Sequence, residues 1–459
     1  MSTFLQLEGL IGPTVIAWLA LRIYLKERGA VADIELAGAA VGIGLGFTSI
    51  SFFLWRLMEM PPGSYPAFEI GLQALLAGAV LYWRHRHRGI SAPADTDITE
   101  SKATRILGAT VAALAVCAAA ALLWHFTARV PHGEWDGWAI WNLRAKFLAD
   151  PTHHWRDGFT SELGWSHPDY PLLLPASVAR LWTFADAHSV FGPRMIAIAT
   201  ATATALVLAG SVARSTGILG MSLGLALLLN PGYLFWAVSQ CADVPLGLYV
   251  LTAVAFLSAQ AVPARYLVAG LAAGFAAWTK NEGLVAAVAV LLPLAFLSRR
   301  AGDDRRTRLL VCFVVGMAVG GMALLTFSLT VAPSSDLLRQ IMSQQPLDVA
   351  LQADRHAIVI SAMTRELSTW GNWFPVPAFV LVFGCLLLAT FHRRQMSRQI
   401  TIGASVVAVM LIGYYCVYVL SPYDLEWHLS TSWPRLVAQI WPTLVWTAVM
   451  AAAPPAPRL

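Results

Sequence analysis

The chain has 459 residues, 57% hydrophobic and 12% charged, whereas soluble domains carry about 25% charged residues. So much apolar surface excludes a water-soluble globular fold and makes the bilayer the solvent. The net charge is +5, but the basic residues gather in short loops, which signals topology and excludes nucleic-acid binding as their purpose.

A spanning helix needs about 20 mostly apolar residues, because each adds about 1.5 Å against a core of about 30 Å. The hydropathy pattern therefore predicts an all-α polytopic membrane protein of roughly thirteen transmembrane helices. The spans fall near residues 9–25, 36–57, 67–83, 106–128, 194–212, 217–236, 243–260, 266–279, 284–298, 309–332, 374–391, 400–420 and 436–453. The eighth and ninth are short enough for an oblique or re-entrant pair. No basic region precedes the first span, so it is expected to stay as an anchor. Three segments follow from this pattern. Residues 1–104 form N-terminal helices and a flexible connector, "GISAPADTDITESK". Residues 105–300 form a core carrying a long, partly helical outer loop at 130–193. Residues 301–459 form C-terminal helices with outer loops 333–373 and 421–435. Cys117, Cys241, Cys312, Cys385 and Cys416 are scattered and suggest no disulfide framework or metal spacing.

Arg84, Arg86 and Arg88 follow the third span, Arg299 to Arg308 lie between the ninth and tenth, and Arg393, Arg394 and Arg398 follow the eleventh. The positive-inside rule puts these clusters in the cytoplasm. Counting crossings places the N-terminus outside and the loops rich in Trp, His, Asp and Arg on the outer face of a cytoplasmic (inner) membrane.

Chemistry-bearing residues lie in those outer loops. "HGEWDGWAIWNLRAKFLADP" puts Asp136 between Trp135 and Trp138 where the chain leaves the lipid, with Arg144 and Lys146 just beyond. An interfacial helix with tryptophans at headgroup depth, capped by Asp136, is the plain alternative to a catalytic acid. "HPDYPLLLP" holds three prolines in nine residues, which forbids a regular helix and fixes His167, Asp169 and Tyr170 in an extended turn. Asp243, in "SQCADVPLGLY", opens an apolar helix and is either its cap or a membrane-edge acid of functional weight. "AAWTKNEGL" interrupts an apolar hairpin with Lys280, Asn281 and Glu282. Lys280 either snorkels or, on a side where lysine is disfavoured, meets an anion such as phosphate. "SPYDLEWHLSTSWPRL" gathers Asp424, Glu426, His428 and Arg435 among aromatics. Aromatic faces and carboxylates suit sugar rings and their hydroxyls, and cations suit a phosphate leaving group. Both at the rim of a membrane bundle suggest a lipid-linked phospho-sugar.

On "EWDGWAIW", "QCADVPLGLY" and "GLAAGFAAWTKNEG", the chain resembles the GT-C superfamily of polyprenyl-phosphate-dependent glycosyltransferases. It is similar there to protein mannosyltransferases and lipid A aminoarabinose transferases, over roughly residues 105–300, and "EWHLSTSWPRL" looks like a motif of bacterial members. The resemblance implies Asp136 as catalytic base, Asp243 as a second essential acid near the acceptor or a metal, and Lys280 as a phosphate contact. Arg435 and Arg144 are the further candidates for donor phosphate. Trp135, His167, Asp169, Tyr170, Glu282, Glu426 and His428 are the candidates for substrate binding. The expected partners are a polyprenyl-phosphate-linked sugar, a glycan or lipid acceptor and membrane lipids. Three spans precede the one that usually opens the family core, and the soluble C-terminal domain of several relatives is missing. The missing domain turns the acceptor expectation from protein to glycan or lipid. A divalent cation, Mg or Mn, between Asp136, a histidine and the phosphate is compatible with this chemistry, though no ligand spacing demands one. The competing readings are a multi-span secondary transporter, a lipid-linked-glycan flippase and a non-catalytic scaffold. A transporter should show midplane charges and two related halves; here the charges sit at the rim and no repeat is visible.

Overall fold

The computed structural model describes residues 2–27, 29–86, 101–297, 303–343, 346–371 and 398–452, together with residues 382 and 384. The expected span 374–391, Cys385, most of the connector after Arg88, and Arg88, Arg299, Arg300, Arg393 and Arg394 lie outside the described residues. Every regular element among the described residues is a helix. Among the described residues, seven helices are long and apolar enough to cross a membrane, or eight if one bent pair counts as a single span.

In chain order these are α1 (Ser2–Leu25), α2 (Ala30–Leu57), α3 (Tyr65–Arg86) and α4 (Lys102–Arg129). The segment expected as an outer loop then carries α5 (Leu143–Ala149) and α6 (Leu173–Ala185), followed by α7 (Phe191–Leu228), α8 (Pro231–Val238), α9 (Asp243–Ser258), α10 (Pro263–Thr279), α11 (Glu282–Leu297) and α12 (Asp303–Thr330). The short helices α13 (Asp336–Ser343), α14 (Pro346–Ala350) and α15 (Ala353–Thr369) precede the long α16 (Arg398–Val419) and α17 (Leu425–Ala452).

Two expected spans differ in the structure. Residues 194–212 and 217–236, expected as separate crossings, lie in one helical run, α7, which a kink at Gly217 (φ +69°) divides into two helices where the second span was expected to begin; the second helix stops at Leu228, short of residue 236. The chain then stops because Asn230 caps a new helix, its side chain accepting from the Tyr233 amide, with Pro231 in the first position. The new helix α8 meets α9 at a bend of 114°. That bend places Asp243, the first residue of α9, in the elbow. The helices α9, α10 and α11 hold only 16 or 17 residues. At about 1.5 Å each they reach about 24–26 Å, short of a hydrocarbon core of about 30 Å.

The helices pack through small residues, as expected where lipid removes the hydrophobic drive between helices. Gly38, Gly42 and Gly46 of α2 lie four residues apart and meet Ala203 of α7, Tyr249 of α9 and Phe275 of α10. Gly270 and Gly274 of α10 face the Phe313 and Met317 carbonyls of α12, while Gly316 and Gly320 of α12 face α10 in return. The buried side chains form one continuous core drawn from all three sequence segments.

Within that core α10 fixes two ends. At its start, Arg265 joins Arg214 of α7 and Glu27 and Glu35 near the start of α2 in a four-membered ionic cluster: Arg265 Nε donates to Glu27 at 2.8 Å and Arg214 Nε to Glu35 at 2.7 Å. At its far end, fifteen residues and about 22 Å away, is Lys280. The outer segment is pinned at the same end as Lys280 by Arg56 of α2, which donates to the Asp150 carbonyl at 3.0 Å, and by Trp155 and Arg156, which hold Glu59.

A Cβ at Gly270 would stand 2.0 Å from the Phe313 carbonyl, whereas nothing lies within 4 Å of a Cβ at Gly71. Gly270→Leu is expected to destabilise the bundle by about 1–3 kcal/mol, read as a lower melting temperature in detergent, and Gly71→Ala to leave it unchanged or slightly higher.

Candidate functional site

The candidate site forms where α9 and α11 begin, α10 ends and α17 enters the bundle. The turn between α10 and α11 is tight: Gly283 N–H donates to the Lys280 carbonyl at 2.8 Å, and a Cβ on Gly283 would clash with the Ala276 carbonyl. The turn presents Lys280 inward, where its ammonium lies 3.0 Å from Asp243 Oδ1 and 2.9 Å from Glu282 Oε1. Lys280 and Asp243 are both buried. Burial alone would pull the lysine down, but Asp243 and Glu282 reverse this and hold it charged well above its ordinary range.

Neither acid singled out in the sequence serves as a helix cap. No side-chain capping bond is made at Asp136, and none is made at the start of α9. Asp243 Oδ1 instead accepts from Lys280 and from Gln439 Nε2 of α17, at 2.5 Å. The Gln439 amide is oriented by Tyr414 of α16, whose hydroxyl donates to Gln439 Oε1 at 2.6 Å. Gly247, one turn beyond Asp243, meets the Ala438 and Gln439 carbonyls, and this close approach of α9 to α17 brings Asp243 within reach. One turn before Gln439 on the same face of α17, Arg435 pairs with Asp136. Burial brings the Arg435 guanidinium down to about 10, still protonated at neutral pH.

Thus α17 brings together two acids that lie more than a hundred residues apart in the chain. Asp136, Arg435, Asp243, Lys280 and Glu282 form a run of acids and cations around Gln439, and Asp169 joins it by accepting from Asn281 Nδ2 at 3.1 Å. Tyr170 is nearby: burial first, then Glu282, pushes its hydroxyl up.

The remaining candidates divide. Arg144 is buried against Trp141, 4.7 Å from the ring centroid, and donates to the Tyr170 carbonyl at 2.7 Å. Burial lowers it to about 9, with Asp169 acting in the opposite direction. His167 adopts a left-handed conformation, φ +50°, and stacks on the Tyr170 ring at 4.8 Å. His428 Nδ1 lies 2.7 Å from Ser421 Oγ among the Tyr418 and Tyr423 rings. Burial, then proximity to His167, lowers it to about 4, so it is neutral at physiological pH. Glu426 is exposed in the first turn of α17, about 13 Å before Arg435 along the helix, and is not brought into the network. Trp135 is exposed beside Trp138 and Trp165, with ring centroids 6.0 Å apart in each case.

The plain alternative for the stretch after Asp136 was a regular interfacial helix with its tryptophans together at headgroup depth. Residues 137–142 instead form a wide π turn, which rephases the helix; Trp141 is buried and Trp138 exposed. Asn142 inside this turn donates to Gln240 at 2.9 Å, and the Glu134 amide donates to the Ser239 carbonyl, which ties Asp136 to the α8–α9 elbow.

Sequence reasoning missed Gln439 and Tyr414. Both are uncharged and lie inside the expected spans 436–453 and 400–420, where composition does not separate them from packing residues. Among the described residues no group of three or more His, Cys, Asp or Glu side chains is placed to hold a metal ion. The acids here already face cations, so the donor set does not fit the Mg or Mn expectation. Comparison with protein-family models, with curated proteins and with solved structures returns no match.

The buried polar atoms of this region with no hydrogen-bond partner among the described residues include four on charged side chains: Asp243 Oδ2, Glu282 Oε2, Arg435 Nε and Arg144 Nη2. Native interiors leave few such atoms.

Removing Lys280 strands two carboxylates. Lys280→Met is expected to cost about 3–5 kcal/mol, measured by denaturant titration in detergent. Adding Asp243→Leu in the same chain should recover part of that loss.

Proposed function

We propose that the protein is an integral membrane glycosyltransferase of GT-C type, moving one sugar from a polyprenyl-monophosphate donor to a hydroxyl of a glycan or lipid acceptor. The observation that carries this reading is the face of α17, where Arg435 holds Asp136 and Gln439 holds Asp243 one turn away. A base and a polyol-binding acid stand side by side, next to a cation. The four unpartnered atoms support it: two carboxylate oxygens suit sugar hydroxyls, and two guanidinium nitrogens suit phosphate oxygens.

In this reading the chain crosses a cytoplasmic membrane roughly thirteen times, with the site facing outward. Arg265, Arg305 and Arg398 near the starts of α10, α12 and α16, and Arg214 just before the Gly217 kink of α7, lie opposite Lys280, at the side the positive-inside rule assigns to the cytoplasm. The short helices α9 to α11 leave room at the outer leaflet for a lipid tail to reach the site.

The reaction is a direct displacement. The acceptor oxygen forms a bond to the sugar anomeric carbon as the bond from that carbon to the phosphate oxygen breaks. The bonding pair leaves with polyprenyl phosphate, and the acceptor proton passes to Asp136, which later returns it to water. Attack opposite the leaving group inverts the anomeric centre. Asp136 supplies general-base catalysis, a step typically worth about 10²–10⁴-fold. The cations Lys280, Arg435 and Arg144 are the candidates that stabilise the departing phosphate, an effect of about 3–4 kcal/mol per well-placed donor. Asp243, Glu282, Asp169, Tyr170, His167 and Trp135 hold the sugars.

The test is conversion of radiolabelled polyprenyl-phosphate sugar by purified protein. Asp136→Asn is expected to cut transfer by at least about a hundredfold with expression and melting nearly unchanged. Retention of most activity would remove Asp136 as base. A wild-type protein that moves lipid across vesicles without consuming donor would instead be a transporter or flippase.

A further inference from the structure

Two cations at the site face carboxylates, but on different terms. Lys280 sits between Asp243 and Glu282, one positive charge against two negative, with its side chain 6% exposed and that of Asp243 2% exposed. An arriving phosphate would meet a net negative charge there, and a displaced Asp243 would have no water to receive it. Arg435 faces a single carboxylate, Asp136, and their side chains are 16% and 22% exposed. This pair is neutral and reaches water. The Arg435 Nε is buried and has no hydrogen-bond partner among the described residues, so part of the guanidinium fork is unused. Arginine binds phosphate best through two parallel N–H bonds from that fork.

We infer that the Asp136 carboxylate stands in for the donor phosphate on Arg435, and that a polyprenyl phosphate displaces it and so frees Asp136 to accept the acceptor proton. This rests on the glycosyl-transfer reading and deepens it by moving the main phosphate contact from Lys280 to Arg435. Without donor, Asp136 is neutralised by a guanidinium and is a poor base. With a phosphodiester on Arg435, the carboxylate is released beside the anomeric carbon. The exchange imposes an order: the donor engages before the acceptor is deprotonated, which protects the site from premature proton transfer. The departing polyprenyl phosphate carries more negative charge than the donor, so it holds Arg435 more firmly and inhibits as a product. Lys280 keeps a different role, holding Asp243 oriented for sugar hydroxyls.

The experiment measures binding of radiolabelled polyprenyl monophosphate to the full chain in nanodiscs, with unphosphorylated polyprenol as reference. An internal occupant weakens apparent affinity by the fraction of time it holds the site, so Asp136→Asn is expected to tighten polyprenyl phosphate binding about tenfold. Arg435→Gln is expected to weaken it by at least about tenfold, and Arg435→Lys to fall between. In the Arg435→Gln background, Asp136→Asn should no longer tighten binding. Size-exclusion profiles and melting confirm that each variant is folded, and Arg435→Lys carries the test if Arg435→Gln is not. Equal tightening in both backgrounds would mean simple charge repulsion and overturn the exchange. Unchanged binding in Asp136→Asn would overturn it too, while leaving glycosyl transfer standing. A wild-type protein that binds polyprenyl phosphate no better than polyprenol would overturn the glycosyl-transfer reading itself.

Discussion

The site depends on one helical repeat. Residues four apart on an α-helix share a face, and on α17 those residues are Arg435 and Gln439. One holds the acid of the outer segment, the other the acid at the start of α9. Neither acid has a local reason to be where it is, since neither caps its own helix. Their common position follows from α17 entering the bundle at the α8–α9 elbow, with Gly247 allowing the backbones to meet. An altered pitch or register of α17 over that single turn would separate the two acids without moving either of their own helices.

The low-dielectric setting sets the energetics. A lysine buried among apolar helices survives as a cation only because two carboxylates flank it, and one of these, Asp243, is held in turn by Gln439. The group is an all-or-none arrangement. Tyr414 extends it to α16 by fixing which end of the Gln439 amide faces Asp243. Five separate stretches of chain therefore share one hydrogen-bonded unit at the rim.

Much of the fold was legible because hydropathy and length are one-dimensional signals. The apolar runs at 9–25, 36–57, 106–128 and 400–420 all correspond to long helices. The run at 217–236 begins at the Gly217 kink as expected but extends too far, because mean hydropathy is blind to Asn230-Pro231, which end the helix without interrupting the apolar composition. At the site, Asp136, Asp243, Lys280, Glu282 and Arg435 stood out because charge at a membrane edge is costly. Their pairing could not be read, since it is made by helices far apart in sequence. Gln439 and Tyr414 are uncharged and lie within apolar runs, so nothing in the composition distinguished them from packing residues. Arg144 was singled out by charge, yet its guanidinium holds the outer segment closed around Trp141 and Tyr170.

The four-membered cluster of Glu27, Glu35, Arg214 and Arg265 has a mechanical consequence. It rivets the α1–α2 junction, α7 and α10 at the end of the bundle remote from Lys280, with Glu35 and Arg265 almost wholly enclosed. A bundle riveted at one end can splay only at the other, as a fan does. Under the proposed function, the movement that admits a long-chain lipid is then an opening of the rim around α17 with the riveted end kept closed.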